Sequence, residues 1–173
     1  MSMDKTRVFF SFHVPVSSGE RILHDLASFP VERYPAENLH VTLRFVGDVF
    51  SHEQEQLIAG AERIIREHPP IIFKPLNFDL ENGRMRLYVE GGQPLTLLHS
   101  HLVQVMRELH IGKADSRPYR PHITLARTND SLTLPSSHTA YSFKKNTFGL
   151  YRSEQGEKRM GVYTLLHDFP LQG

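Results

Sequence analysis

Asn38-Leu39-His40-Val41-Thr42-Leu43-Arg44-Phe45 decides how this chain is read, together with its echo, Arg120-Pro121-His122-Ile123-Thr124-Leu125-Ala126-Arg127. Both stretches contain His, an aliphatic residue, Thr and Leu in that order. In a strand, residues i and i+2 share a face. His40 and Thr42 are therefore expected to project together, with Arg44 next on that side. Leu39, Val41, Leu43 and Phe45 are expected to turn the other way, into a core. His122 and Thr124 share one face in the same manner, and Ile123 and Leu125 share the other. The chain is rich in histidine, with 11 in 173 residues, so one chance His-x-Thr would be unremarkable. The full four-residue pattern is expected about 0.01 times by composition and ~10⁻⁴ times in two copies.

Working outward, a strand is predicted at about Arg7–Val14, where Val8, Phe10, Phe12 and Val14 alternate with Phe9, Ser11 and His13. Ser17 and Glu20 read as a capping box, followed by Ile22, Leu23, Leu26 and Phe29 at helical spacing and a stop near Pro30. The first motif strand spans about Asn38–Val46 and is closed by Gly47. A second helix starts at Ser51 with Gln54 three residues on, carries Leu57, Ile58, Ala61, Ile64 and Ile65, and stops at Pro69-Pro70. Strands at about Ile71–Leu80 and Arg84–Glu90 flank an Asn82-Gly83 hairpin turn. Pro94, then Leu95, Leu98, Leu102, Val105, Met106 and Leu109, mark a third helix ended by Gly112. The second motif strand covers about Tyr119–Arg127. Strands at about Tyr141–Lys145, Thr147–Tyr151 and Met160–Phe169 complete the chain, with Arg152–Lys158 as a loop. Strands alternating with helices, with at least one hairpin, predict an α+β arrangement.

Composition narrows the chemistry. Twenty basic residues face 19 acidic ones, so affinity for phosphate must come from a local cluster rather than a cationic coat. The absence of Cys excludes disulfides, zinc-thiolate sites, iron–sulfur clusters and Cys nucleophiles. No apolar run approaches the ~20 residues of a membrane span, and the N-terminus lacks a signal-peptide pattern. The expectation is a soluble cytoplasmic protein with no membrane partner.

Two imidazoles either side of a phosphorus suit in-line displacement. One, neutral, accepts a proton from the attacking oxygen; the other, protonated, donates to the leaving oxygen. Thr hydroxyls can hydrogen-bond the non-bridging oxygens as their charge redistributes. A strained cyclic phosphodiester fits, because its leaving oxygen stays tethered. The competing reading is a polar strand face turned to water. Two His could also ligate zinc, but no third ligand is evident, and His99 and His101 diverge on a helix.

The paired motifs resemble those of the two-histidine phosphoesterases. With Phe45-Val46-Gly47-Asp48, Arg7-Val8-Phe9-Phe10 and Leu150-Tyr151-Arg152-Ser153, then Gly156 and Tyr163, the chain is similar to the LigT-type RNA 2′,3′-cyclic phosphodiesterases, the 2′-5′ RNA ligase family. The resemblance covers nearly the whole chain. It implies one bilobal phosphodiesterase domain over residues 1–173, in which two small antiparallel sheets face a central cleft with helices outside. It implies His40 as general acid toward the leaving 3′ oxygen and His122 as general base toward water. Thr42 and Thr124 bind phosphate. The substrates implied are RNA ends or nucleotides bearing a 2′,3′-cyclic phosphate. The product is a 2′-phosphomonoester, and no cofactor or metal is called for. Reverse 2′-5′ ligation is a side activity of the same site. The protein is expected to be a monomer. Rival expectations are the same chemistry on 2′,5′-linked oligonucleotides or cyclic nucleotide-sugar phosphates, a non-catalytic RNA-end-binding protein, and a metal-dependent hydrolase.

The arginines divide the two lines of reasoning. The family pattern favours Arg127 as a phosphate contact, whereas strict pleating puts Arg127 opposite His122 and Arg120 beside it. A bulge at the strand end would bring Arg127 round; Arg120 is the alternative. Arg44 is balanced between a substrate role and a solvated strand position. Phe9 and His13 could border the cleft, as could Tyr151 and Arg152, though core packing or surface exposure is the plainer reading. The pairs Lys144-Lys145 and Lys158-Arg159 read as solvated charges. His24, His52, His68, His110, His138 and His167 show no partner pattern.

Overall fold

The computed structural model describes residues 4–129, 131–156 and 161–172. Apolar alternation yields long strands. β1 spans Thr6–His13, β3 His40–Val49, β4 Ile71–Glu81, β5 Arg84–Glu90, β6 His122–Arg127, β7 Phe143–Lys145, β8 Thr147–Gln155 and β9 Gly161–Pro170; a two-residue β2, Glu32–Arg33, was not foreseen. The helices are α1 (Val16–His24), α2 (Ser51–Ile64) and α3 (Gly92–Leu109).

The strands run β7-β4-β5-β6-β3-β1-β8-β9, with β2 added to β6. Every pairing among them is antiparallel. The two expected sheets are therefore the two halves of one curled path. Among the described residues they meet through one registered pair, Val41 opposite Ile123. The core lies on one face: Val8, Phe10, Phe12, Val41, Leu43, Ile123 and Leu125 from the strands pack with Ile22 of α1, Leu57 and Ala61 of α2, and Leu95, Leu98 and Leu102 of α3. The other face carries the motif polar residues.

Several boundaries move. α1 begins at Val16, so Ser17 lies inside it and makes no cap; Pro15, with extended ψ of 133°, is the N-cap residue, and its carbonyl accepts the Gly19 N–H at 2.9 Å. At α2 the capping carboxylate is Glu53, which accepts the Phe50 N–H at 2.8 Å, one residue before the expected Ser51–Gln54 pairing. α3 stops as expected before Gly112, but the left-handed residue is His110, φ 55°, with the Ile111 N–H returning to the Met106 carbonyl at 3.0 Å. Gly112 is still required: its φ is +81°, and a Cβ there would sit 2.5 Å from Met106 Cε and 3.2 Å from the Val46 carbonyl oxygen. β3 continues through Gly47 to Val49 because β1 keeps pairing with it. β6 starts at His122, not Tyr119. Arg152–Gln155 are strand rather than loop, held in register with Gly161–Thr164 of β9; Lys158, Arg159 and Met160 lie outside the described residues.

Candidate active site

The seam between the two halves sets the site. On an antiparallel ladder, continuing the Val41–Ile123 register by one residue each way puts His40 across from Thr124 and Thr42 across from His122. All four side chains line one cleft of about 290 Å³, with Arg84, Arg127, Tyr34, Asn38, Phe45, Phe9, Ser153 and Tyr163. Among the described residues the lining contains two arginines and no carboxylate, so an anion there meets positive or neutral groups.

Each histidine is held the same way. His40 Nδ1–H donates to the Asn38 carbonyl at 2.8 Å, and His122 Nδ1–H donates to the Arg120 carbonyl at 2.8 Å. In both, the acceptor is two residues earlier in the chain, just before the strand begins. This bond selects the tautomer and leaves Nε2 for the cleft. Asn38 is in turn anchored by its side-chain N–H to the Gly161 carbonyl at 3.1 Å.

The surroundings differ. His40 sits among rings, 5.4 Å from Phe9 and 4.8 Å edge-on from Tyr163. Burial there pushes its imidazole below the ordinary value of 6.5; the Asn38 hydrogen bond opposes this and the nearby His13 and His122 reinforce it. His122 faces Tyr88 edge-on at 6.1 Å, beside a polar cluster. Tyr88 O–H donates to Asp79 at 2.6 Å, and Arg86 donates to Asp79 at 2.6 Å and lies 2.7 Å from Glu81. Burial also lowers His122; the Arg120 carbonyl opposes it, Arg86 and Arg120 deepen it, and Asp79 pulls it back up.

Arg127 reaches the cleft through an extra residue. Met85 pairs with Ala126 and Arg86 with Thr124, so Leu125 is supernumerary on β6. Leu125 and Ala126 are both fully buried, and Arg127 returns to the face of His122 and Thr124. Its Nε donates to Tyr34 Oη at 2.5 Å. The Arg120 side chain does not line this cleft; it stacks on Tyr88, 4.7 Å from the ring centroid. Bulges also correct the reading of β3. Register shifts against β1 at Leu43 and Val46 turn Phe45 out of the core, where it was expected, to line the cleft at 54% exposure. Arg44 lines a neighbouring concavity instead.

Phe9 is buried and also borders the cleft. His13 and Tyr151 flank a smaller adjoining hollow, and Arg152 is paired with Glu154 at 3.0 Å. Sequence reasoning missed Arg84, opposite Arg127 on β5, and Tyr34. Neither lies in a motif, and only strand pairing brings them in. It also assigned no partner to His68, which contacts His101 at 2.7 Å, or to His167, which meets Glu62 at 2.8 Å.

The two matching His-x-Thr strands, set side by side over one cleft, carry the motifs on which the family resemblance rests. Residues 14–157 match the model of the 2'-5' RNA ligase superfamily, and the chain belongs to that family. A curated relative, the RNA 2',3'-cyclic phosphodiesterase of Escherichia coli K12, is 32% identical over 159 residues, covering 85% of this chain and 86% of that protein. Among solved structures, E. coli LigT complexed with 3'-AMP matches with a TM-score of 0.85 at 26% identity, over 98% of this chain and 100% of that one. E. coli LigT complexed with phosphate matches with a TM-score of 0.80 at 25% identity, over 98% and 99% of the two chains.

Proposed function

We propose that this protein is a hydrolase that opens 2′,3′-cyclic phosphate ends of RNA or nucleotides to 2′-phosphomonoesters, without a metal. The observation that carries this reading is the pair of imidazoles, each with Nδ1 tied to a carbonyl and Nε2 left for a cleft that also presents two threonines and two arginines. Membership of the family and the named activity of the E. coli relative support it.

In the proposed reaction His122 Nε2 takes a proton from water as the water oxygen bonds to phosphorus. The P–O3′ bond breaks, and His40 Nε2–H delivers its proton to O3′. Thr42 and Thr124 donate hydrogen bonds to the non-bridging oxygens, and Arg127, steadied by Tyr34, balances their charge. Replacing water by a ribose hydroxyl turns the same steps into 2′-5′ ligation, a side activity.

The test is hydrolysis of an oligoribonucleotide ending in a 2′,3′-cyclic phosphate, with EDTA present. Ring opening to a 2′-phosphate by wild type, with failure of both His40→Ala and His122→Ala, supports the reading. Full activity in either variant, or loss to EDTA with recovery on zinc, overturns it.

A further inference from the structure

Beside the cleft lies a second concavity of about 480 Å³ that shares Thr42, Phe45 and His122 with it. Four arginines line it: Arg44, Arg86, Arg117 and Arg120. Two are neutralised, Arg86 by Asp79 and Glu81 and Arg117 by Asp115 at 2.8 Å. The other two make no salt bridge among the described residues, although Asp115, which lines the concavity with Glu81, feels the charge of Arg44, and Asp79 that of Arg120. Arg44 donates from Nη2 to the Lys113 carbonyl at 3.0 Å, while its Nε is buried without a partner. Arg120 is exposed, with its guanidinium over the Tyr88 ring. Two guanidinium groups without a salt bridge in one hollow, one with an unsatisfied N–H, are what a phosphate group would complete. Phe45 stands at the shared boundary with its ring open to solvent, a surface on which a nucleoside can stack.

We propose that this concavity is a second anion subsite, which takes the phosphate on the 5′ oxygen of the nucleotide whose cyclic phosphate is opened. In an RNA strand that phosphate is the linkage to the preceding nucleotide; in a mononucleotide it is a 5′-monophosphate. The inference rests on the phosphodiesterase reading above. Arg44 and Arg120 make the enzyme selective for ends with a 5′ phosphate and leave the chemical step to the first cleft.

The experiment compares kcat/KM for four substrates: a nucleoside 2′,3′-cyclic phosphate with a free 5′-hydroxyl, its 5′-phosphorylated form, a dinucleotide with the cyclic end, and that dinucleotide with a neutral methylphosphonate linkage. The charged 5′ substituents are expected to raise kcat/KM about tenfold or more, and the methylphosphonate to lose that gain. Arg44→Gln and Arg120→Gln should each remove most of the gain, while Arg44→Gln changes the 5′-hydroxyl substrate by less than about threefold. Equal rates on all four, a gain that survives the methylphosphonate, or variants that lower every substrate alike would overturn the subsite. If wild type opens the 5′-hydroxyl substrate but ignores the 5′ phosphate, the subsite alone fails. If it opens none of the four, the phosphodiesterase reading fails and the subsite with it.

Discussion

Val41 and Ile123 face each other where the two halves of the sheet join, and both are fully buried. Each is the aliphatic residue at the centre of a His-x-Thr triplet, so the contact that joins the halves also sets the two polar pairs across from one another. Truncation here removes core packing and loosens the site. Ile123→Ala is expected to destabilise the protein by about 2–5 kcal/mol and Ile123→Val by about 0.5–1.5 kcal/mol. Chemical denaturation of the two variants checks the order; equal, negligible losses would show that the seam does not hold the fold.

The proposed division of labour between His40 and His122 can be tested chemically. Each single Ala variant should lose about 10²–10⁴-fold in kcat. A substrate with sulfur in place of the 3′ bridging oxygen needs no proton on its leaving group. It should restore turnover to His40→Ala and not to His122→Ala. Rescue of His122→Ala instead would exchange the two roles.

Both imidazoles are held below 6.5, chiefly by burial. The base must be neutral, so activity falls as pH drops below its value. The acid must be protonated, so activity falls as pH rises above its value. With both values lowered, the bell in kcat/KM for the free enzyme should peak on the acid side of 6.5. A kcat/KM profile with its maximum well above neutrality would contradict this.

Tyr34→Phe removes the hydroxyl that holds Arg127 and nothing else in the cleft lining. A hydrogen bond to a charged group is worth about 1.5–3 kcal/mol, so kcat/KM should fall about tenfold or more while the melting temperature stays close to wild type. Unchanged kinetics would remove Tyr34 from the site.

Stability should also respond to pH through two histidines outside the first cleft, the half-buried His99, which lines the second concavity, and the buried His68. His99, stacked on Tyr119 with ring centroids 4.1 Å apart, is pushed down to about 4, first by burial and then by Arg44. The unfolded chain takes up that proton near 6.5, so this contribution is complete above 6.5 and is lost as pH falls toward 4. His68 shifts in the same direction, by burial and by His101. Asp79, lowered by the Tyr88 hydrogen bond, acts only below about 3.8. Thermal melts between about pH 7 and pH 4.5 should show a falling midpoint, and a smaller fall in His99→Phe.

Much of this was legible in the sequence because both motifs obey the two-residue period of a strand and sit opposite clean apolar faces. That His40 shares a face with Thr42, and His122 with Thr124, follows from that rule; the duplication of the motif singles the four out. The rule fails wherever the count of residues is irregular. Phe45 is expected in the core because pleating is taken as unbroken there, and a bulge before Arg127 is expected only because the resemblance favours that residue; the bulges at Leu43, Val46 and Leu125 are located only when a partner strand gives the register. Arg84 and Tyr34 were invisible for a related reason: each enters through a neighbouring strand or loop, and no local pattern marks them. The Ser17–Glu20 cap failed because Pro15 already starts the helix.

Arg127 stands five positions after His122, an odd step that a regular strand turns to the opposite side. Leu125 changes the parity. The segment after Thr124 is therefore constrained in parity more than in chemistry: many apolar residues could fill the place of Leu125, and its deletion would leave an even step of four that keeps the guanidinium on the cleft side, whereas one further residue would rotate it away without touching a polar group. An insertion and deletion scan across residues 124–127 would find a stretch that tolerates substitution and the loss of its extra residue, and not the gain of one.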